Sequence, residues 1–210
     1  MLTTITYLFD PLCGWCYGAT PALDRLAATP GIDLKLAPTG LFSGEGARPM
    51  DEEFAIYAWM NDQRIARLSG QIFSAAYRQN CLLTFGAMFD SGPATLALTA
   101  VAVSVAGGER EALKAIQKAR YADGRDITKL SVLSEILHEL GLSEAGDRIA
   151  APDEALLTEN RARIAGARAE MRQLGIEGVP ALLVGEERRR LVRGNELFGN
   201  LDRLLAGLPT

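Results

Sequence analysis

The sequence predicts an α/β protein: a sheet domain whose chain is interrupted by a large all-helical insertion between its second and third strands. Three observations carry this expectation. Residues 1–50 read as strand, helix, strand; residues 51–175 show helical spacing almost throughout; and strand signals return only after Gly175. A sheet domain formed by 1–50 and 176–210, with 51–175 inserted, accounts for all three.

Residues 4–9 (Thr-Ile-Thr-Tyr-Leu-Phe) combine β-branched and aromatic side chains and stop at Asp10-Pro11, which marks a strand running into a turn. From Cys13 the pattern becomes helical, with Ala22, Leu23, Leu26 and Ala27 on one face until Pro30-Gly31, and Pro21 is expected to kink this helix. Ile32, Leu34 and Leu36 alternate with Asp33 and Lys35 as a second strand. Strand, helix and strand within about forty residues form a βαβ unit, whose strands are parallel.

In the middle stretch Phe54, Tyr57, Ala58, Ile65, Leu68, Ile72 and Phe73 follow helical spacing, and Ser91 is the expected N-cap of a helix opening at Pro93. Gly107-Gly108 ends that helix, residues 109–121 form the next, and Thr128 or Ser131 caps a further one that closes at Gly141. A long helix covers residues 153–174. Residues 181–184 and 190–193 then read as a hairpin around Gly185-Glu186-Glu187, with Asn195 capping a last helix.

Composition narrows the function. With 48% hydrophobic and 23% charged residues the 210-residue chain is globular rather than disordered. A net charge of -4 argues against work on phosphate backbones, so nucleic acid is not an expected partner. The first basic residue is Arg25, so no charged n-region precedes an apolar start, and the most apolar later stretch, 94–106, falls short of a bilayer span. A soluble cytoplasmic protein without membrane contact is expected.

Three cysteines and one histidine, His138, leave little chemistry to distribute. Cys13-Gly14-Trp15-Cys16 places two thiols one helical turn apart at a helix start, where the first sulfur would face unsatisfied backbone N–H groups that favour a thiolate. A thiolate is both nucleophile and better leaving group in thiol–disulfide exchange. Zinc would need Cys81 and His138 as further ligands, but neither belongs to a second ligand pair. Cys81 reads as a small buried residue, His138 as a surface or interdomain residue, and the loop 40–46 as a rim beside the second strand. No metal and no tightly held cofactor are expected.

The run Cys13-Gly14-Trp15-Cys16-Tyr17-Gly18 after the first strand, the helical insertion, the segments 120–128 and 174–184, and Gly178-Val179-Pro180 together resemble the DsbA-like thioredoxin-fold family, in particular its signal-less FrnE-like branch. The resemblance implies a thioredoxin-like fold and a thiol–disulfide oxidoreductase or disulfide isomerase acting on protein, peptide or small-molecule disulfides, with glutathione admitted as redox partner. It implies a catalytic pair, Cys13 attacking and Cys16 resolving, and a cis Val179-Pro180 peptide beside it whose Val179 backbone pairs with substrate, whereas the local residues alone read as a trans proline opening an edge strand. Gly14-Trp15 replaces the Pro-His of the strongly oxidising members, so a source of thiolate stabilisation is missing. Asp10, three residues before Cys13, reads either as a turn carboxylate or as a proton shuttle for Cys16, and Trp15 as part of an apolar rim.

Two other functions stay open on these residues. A kappa-class-like glutathione transferase or isomerase shares the architecture but presents a lone serine or cysteine where Cys13 stands, and Cys16 counts against it. A peptide-binding, chaperone-like protein would use the apolar rim and leave the dithiol idle.

Overall fold

The computed structural model describes residues 2–186, 189–199 and 201–207. Four strands form the main sheet: β1 (Thr3–Phe9), β2 (Ile32–Pro38), β5 (Ala181–Val184) and β6 (Arg190–Arg193), in the spatial order β2-β1-β5-β6. β1 pairs parallel with β2 and antiparallel with β5, and β5 closes antiparallel on β6. Two-residue strands β3 (Arg48–Pro49) and β4 (Met88–Phe89) make a separate small ribbon, which no alternating pattern announced.

Period-two alternation in β1 explains how the sheet is sandwiched. Ile5, Tyr7 and Phe9 enter the large core shared with the helices, whereas Leu8 points to the other face with Ala181 and Leu183. That second face is covered by Ala167 and Met171 from α9 (Glu154–Gln173). On the first face lie α1 (Gly14–Gly18) and α2 (Thr20–Ala28), and the same continuous core runs on into α3 (Glu52–Ser69), the single turn α4 (Ala75–Tyr77), α5 (Gly92–Ser104), α6 (Glu109–Tyr121), α7 (Leu130–Glu139) and α8 (Ser143–Ala150). The thioredoxin-like sheet with its helical addition between β2 and β5 is thus the observed architecture.

Several local expectations change. The helix from Cys13 is not kinked at Pro21 but ends at Gly18 and restarts, with Pro21 in the first turn of α2, where its missing N–H breaks no bond. α3 stops at Gly70, whose φ of 74° is left-handed, so Ile72 and Phe73 lie in a loop despite their spacing. Ser91 is the N-cap residue of α5, as expected, but its side chain makes no capping bond: the hydroxyl donates to the Asp10 carboxylate, and Asp90 accepts from Gly92 N–H. Neither Thr128 nor Ser131 caps α7, since Lys129 is the N-cap and the Thr128 hydroxyl donates to Asp126. α8 is an unforeseen helix. Asn195 falls inside a 3₁₀ turn (Gly194–Phe198), and the last helix, α10, begins only at Leu201. Of the hairpin tip, residues 187 and 188 lie outside the described residues.

Candidate active site

Cys13 is the N-cap of α1 and Cys16 lies within it, so one turn of backbone separates the two sulfurs, both present as free thiols. The turn is held from three sides. Cys13 N–H donates to Asp10 C=O (3.1 Å), Tyr7 OH donates to Cys16 C=O (3.2 Å), and Tyr121 OH donates to Leu12 C=O (2.8 Å). Gly14 is required for the fit: a Cβ there would sit 2.4 Å from Asp62 Oδ1 of α3. At Gly18 a Cβ would sit 2.3 Å from Ile65 Cγ2. Both glycines therefore let α3 approach α1.

The sulfurs are unequal. Cys13 keeps 7% of its surface exposed and Cys16 only 1%. Burial, followed by the hydrogen bond with Cys13, pushes the Cys16 thiol well above the ordinary thiol range and holds it protonated. The Cys13 sulfur does not accept from the helix N–H groups, as the spacing suggested. Its N-cap backbone is extended (ψ 116°), and the thiol is turned to donate to Val179 C=O at 3.6 Å. Val179-Pro180 is a cis peptide, and Gly194 packs against Pro180.

Asp10 is a turn residue that lies beside the dithiol. Completely buried beside the dithiol, it accepts from Leu12 N–H (2.8 Å) as a turn residue, and from Phe42 N–H (3.1 Å) and Ser91 OH (2.7 Å). Desolvation raises its carboxyl above the usual aspartate range against the pull of these donors. Phe42 belongs to the rim loop, which is anchored there and again where the Arg168 guanidinium donates to Thr39 and Gly40 carbonyls.

Two clefts meet at Trp15. One of about 610 Å³ runs along Gly178, Val179 and Pro180 to Phe198, whose ring meets Trp15 edge-on at 5.1 Å. The other, about 210 Å³, opens on the helical side between Cys13, Phe42, Phe54, Tyr57 and Asp62. Tyr17 stacks on Tyr121 (4.8 Å) inside the helical core.

Asp62 is a site residue the sequence reading missed. It is 4% exposed, accepts from Tyr77 OH at 2.9 Å, and desolvation lifts its carboxyl to about 7 against the Tyr77 hydrogen bond and the Arg120 charge. Buried Arg120 stacks near Tyr77, Phe89 and Tyr121 at 5.4–5.8 Å. The available signal was spacing: Asp62 continues the stripe of Ala55, Ala58 and Ile65, so a carboxylate stands on the apolar face of a helix. Cys81 is buried, its thiol near Arg125 C=O (3.6 Å), and His138 pairs with Asp147 (3.2 Å) on the surface of α7. Neither joins the dithiol.

A two-cysteine helix start against a cis-proline loop on a thioredoxin-like sheet defines a dithiol–disulfide exchange protein. The family model for the DSBA-like thioredoxin domain matches residues 4–206, and the chain belongs to that family. It is similar to the cytosolic disulfide reductase DsbM from Pseudomonas aeruginosa, with 35% identity, 97% of this chain and 95% of that chain covered, and a TM-score of 0.82. A second structure of DsbM, with GSH, matches at 35% identity over 97% and 96% of the two chains, TM-score 0.81. A disulfide isomerase candidate from Nitrosomonas europaea shares the fold at 24% identity, covering 98% of each chain, TM-score 0.78. No curated protein matches the chain. The chain is a thiol–disulfide oxidoreductase.

Proposed function

We propose that the protein is a cytosolic disulfide reductase that uses glutathione as its electron donor, with Cys13 as the attacking and Cys16 as the resolving thiol. The carrying observation is the inequality of the two sulfurs: Cys13 keeps 7% of its surface exposed and lines the helical-side cleft, whereas Cys16, at 1%, is sealed. The direction of exchange is supported by the 35% identity to DsbM over nearly the full length of both chains, and by the absence of a histidine between the cysteines. Among the described residues no helix is long and apolar enough to cross a membrane.

In the reaction the Cys13 thiolate attacks one sulfur of a substrate disulfide; a Cys13–substrate disulfide forms and the first thiolate leaves with the bonding electron pair. The Val179 backbone, whose carbonyl lies 3.6 Å from Cys13 Sγ, pairs with an extended substrate, and Gly14 and Trp15 shape the floor and rim between the clefts. The Cys16 proton then passes to Asp10, the Cys16 sulfur attacks Cys13 Sγ, and the second thiol is released. Two glutathiones reduce the resulting Cys13–Cys16 disulfide and leave as glutathione disulfide. The test is glutathione-dependent reduction of insulin or hydroxyethyl disulfide, coupled to glutathione reductase. Turnover that disappears in Cys13→Ser supports the reading, whereas activity that survives this substitution, or no turnover with glutathione, refutes it.

A further inference from the structure

Two buried carboxylates flank the dithiol from different parts of the chain. Asp10 leaves β1 and serves the Cys16 side; Asp62 comes from α3 and lines the helical-side cleft together with Cys13. Asp10 already accepts from Leu12 N–H on Oδ1 and from Phe42 N–H and Ser91 OH on Oδ2. Asp62 has one side-chain donor, Tyr77, on Oδ2, while Oδ1 lies against the Cα of Gly14, the residue that follows Cys13. A disulfide attacked in line by Cys13 must direct its departing half away from the new bond, and of the two clefts that diverge at Trp15 the Asp62 cleft is the one Cys13 itself lines.

We propose that Asp62 is a general acid for the thiol released at Cys13, protonating the departing sulfur in the helical-side cleft. The proposal rests on Cys13 being the attacking thiol. As the substrate S–S bond breaks, its electron pair stays on the departing sulfur; the Asp62 carboxyl proton moves to that sulfur, and the Asp62 carboxylate is reprotonated from water through the cleft mouth. The cleft favours this role because its walls are largely aromatic and aliphatic, so a thiolate released there gains little hydration. The groups facing Asp62 are Tyr77 on its Oδ2, the Arg120 charge, the Tyr121 hydroxyl and Cys13. With its carboxyl at about 7, Asp62 still carries a proton over much of the neutral range, and its transfer to an alkyl thiolate with a conjugate pKa of about 8.5 runs downhill.

The distinguishing experiment varies the leaving group in single-turnover reactions of the reduced protein. Hydroxyethyl disulfide releases a basic thiolate, and an aromatic nitrobenzoate disulfide releases one that leaves unprotonated. Asp62→Asn is expected to slow the alkyl reaction about tenfold near pH 6, with the gap closing above pH 8, and to change the aromatic reaction by less than about twofold. Tyr77→Phe removes a donor that favours the carboxylate, so the fall in the alkyl-to-aromatic rate ratio should move to higher pH. Equal slowing of both substrates, an unslowed alkyl reaction, or a ratio whose pH dependence is the same in Tyr77→Phe overturns the proposal. Retention of the aromatic reaction in Asp62→Asn leaves the Cys13 assignment standing in each case; its loss in Cys13→Ser tests that assignment separately.

Discussion

Replacing Asp62 by asparagine should stabilise the protein, and by an amount that grows with pH. The carboxyl rises from 3.8 to about 7 on folding, with desolvation the leading cause. A folded-state pKa above the unfolded one means the native state holds the proton more tightly, so the stability it contributes is complete below about pH 4 and is lost as pH rises through about 7. Each pKa unit is worth about 1.4 kcal/mol, so a shift of about three units amounts to about 4 kcal/mol at neutral pH and above. Asparagine fills nearly the same volume, keeps an oxygen to accept from Tyr77 and carries no charge to desolvate. Wild type and variant should therefore be similar near pH 4, and the variant about 4 kcal/mol more stable at pH 8, equivalent to roughly 8–16 °C in Tm for a chain of this size. Urea unfolding of both proteins at several pH values checks this, because other titrating groups cancel in the difference. Parallel stability curves across pH 4–8 would refute the reasoning.

The other consequences are sharper in kind than in size. Cys16→Ala should accumulate a disulfide between Cys13 and substrate, visible by mass spectrometry, and Cys16 should form none in Cys13→Ala because it is only 1% exposed. Asp10→Ala should lengthen the life of that intermediate by about tenfold or more, since the Cys16 thiol loses its proton acceptor; an unchanged lifetime in quenched-flow sampling would assign Asp10 to the turn alone. Gly18→Ala should cost about 1–3 kcal/mol, because the new methyl would meet Ile65 Cγ2 at 2.3 Å and Phe198 Cε1 at 2.9 Å. Wild-type stability in denaturant titration would show that α1 and α3 do not need that closeness.

What could be read from the residues was whatever a local pattern encodes. β1 and β2 alternate, Gly175 and Gly141 close helices, and the dithiol occupies a strand-to-helix turn, each feature specified within a dozen residues of chain. Ser91 shows where this stops short: it holds the N-cap position of α5, but its side chain does not cap. A serine two residues before a proline is a good cap by composition, but Asp10, eighty-one positions away, is buried and needs a donor, and the hydroxyl goes there. Pro21 fails in the opposite direction: its chemistry was read correctly, but a proline that could kink a helix also fits the first turn of the next one. The cis Val179-Pro180 peptide was not legible from the local residues and entered only through resemblance.

The helical part matters to the chemistry because it sets the charge around Cys13, and the balance there is one of competing terms. Arg120 and Tyr77 both favour an ionised Asp62, yet desolvation outweighs them. The reason lies in how Arg120 is placed: its guanidinium lies over the faces of Tyr77, Phe89 and Tyr121 at 5.4–5.8 Å and acts on Asp62 through its charge alone, with no hydrogen bond to it among the described residues. A direct bidentate pair would have lowered the carboxyl toward or below the ordinary range and fixed it as an anion, repelling any thiolate formed beside it. Separation keeps Asp62 able to exchange a proton near neutrality, at a standing cost in stability. A buried carboxylate that weakens the fold yet lines the cleft of the attacking cysteine is what a working acid requires, whereas a merely structural side chain at this position would be better served by the asparagine that the stability argument favours.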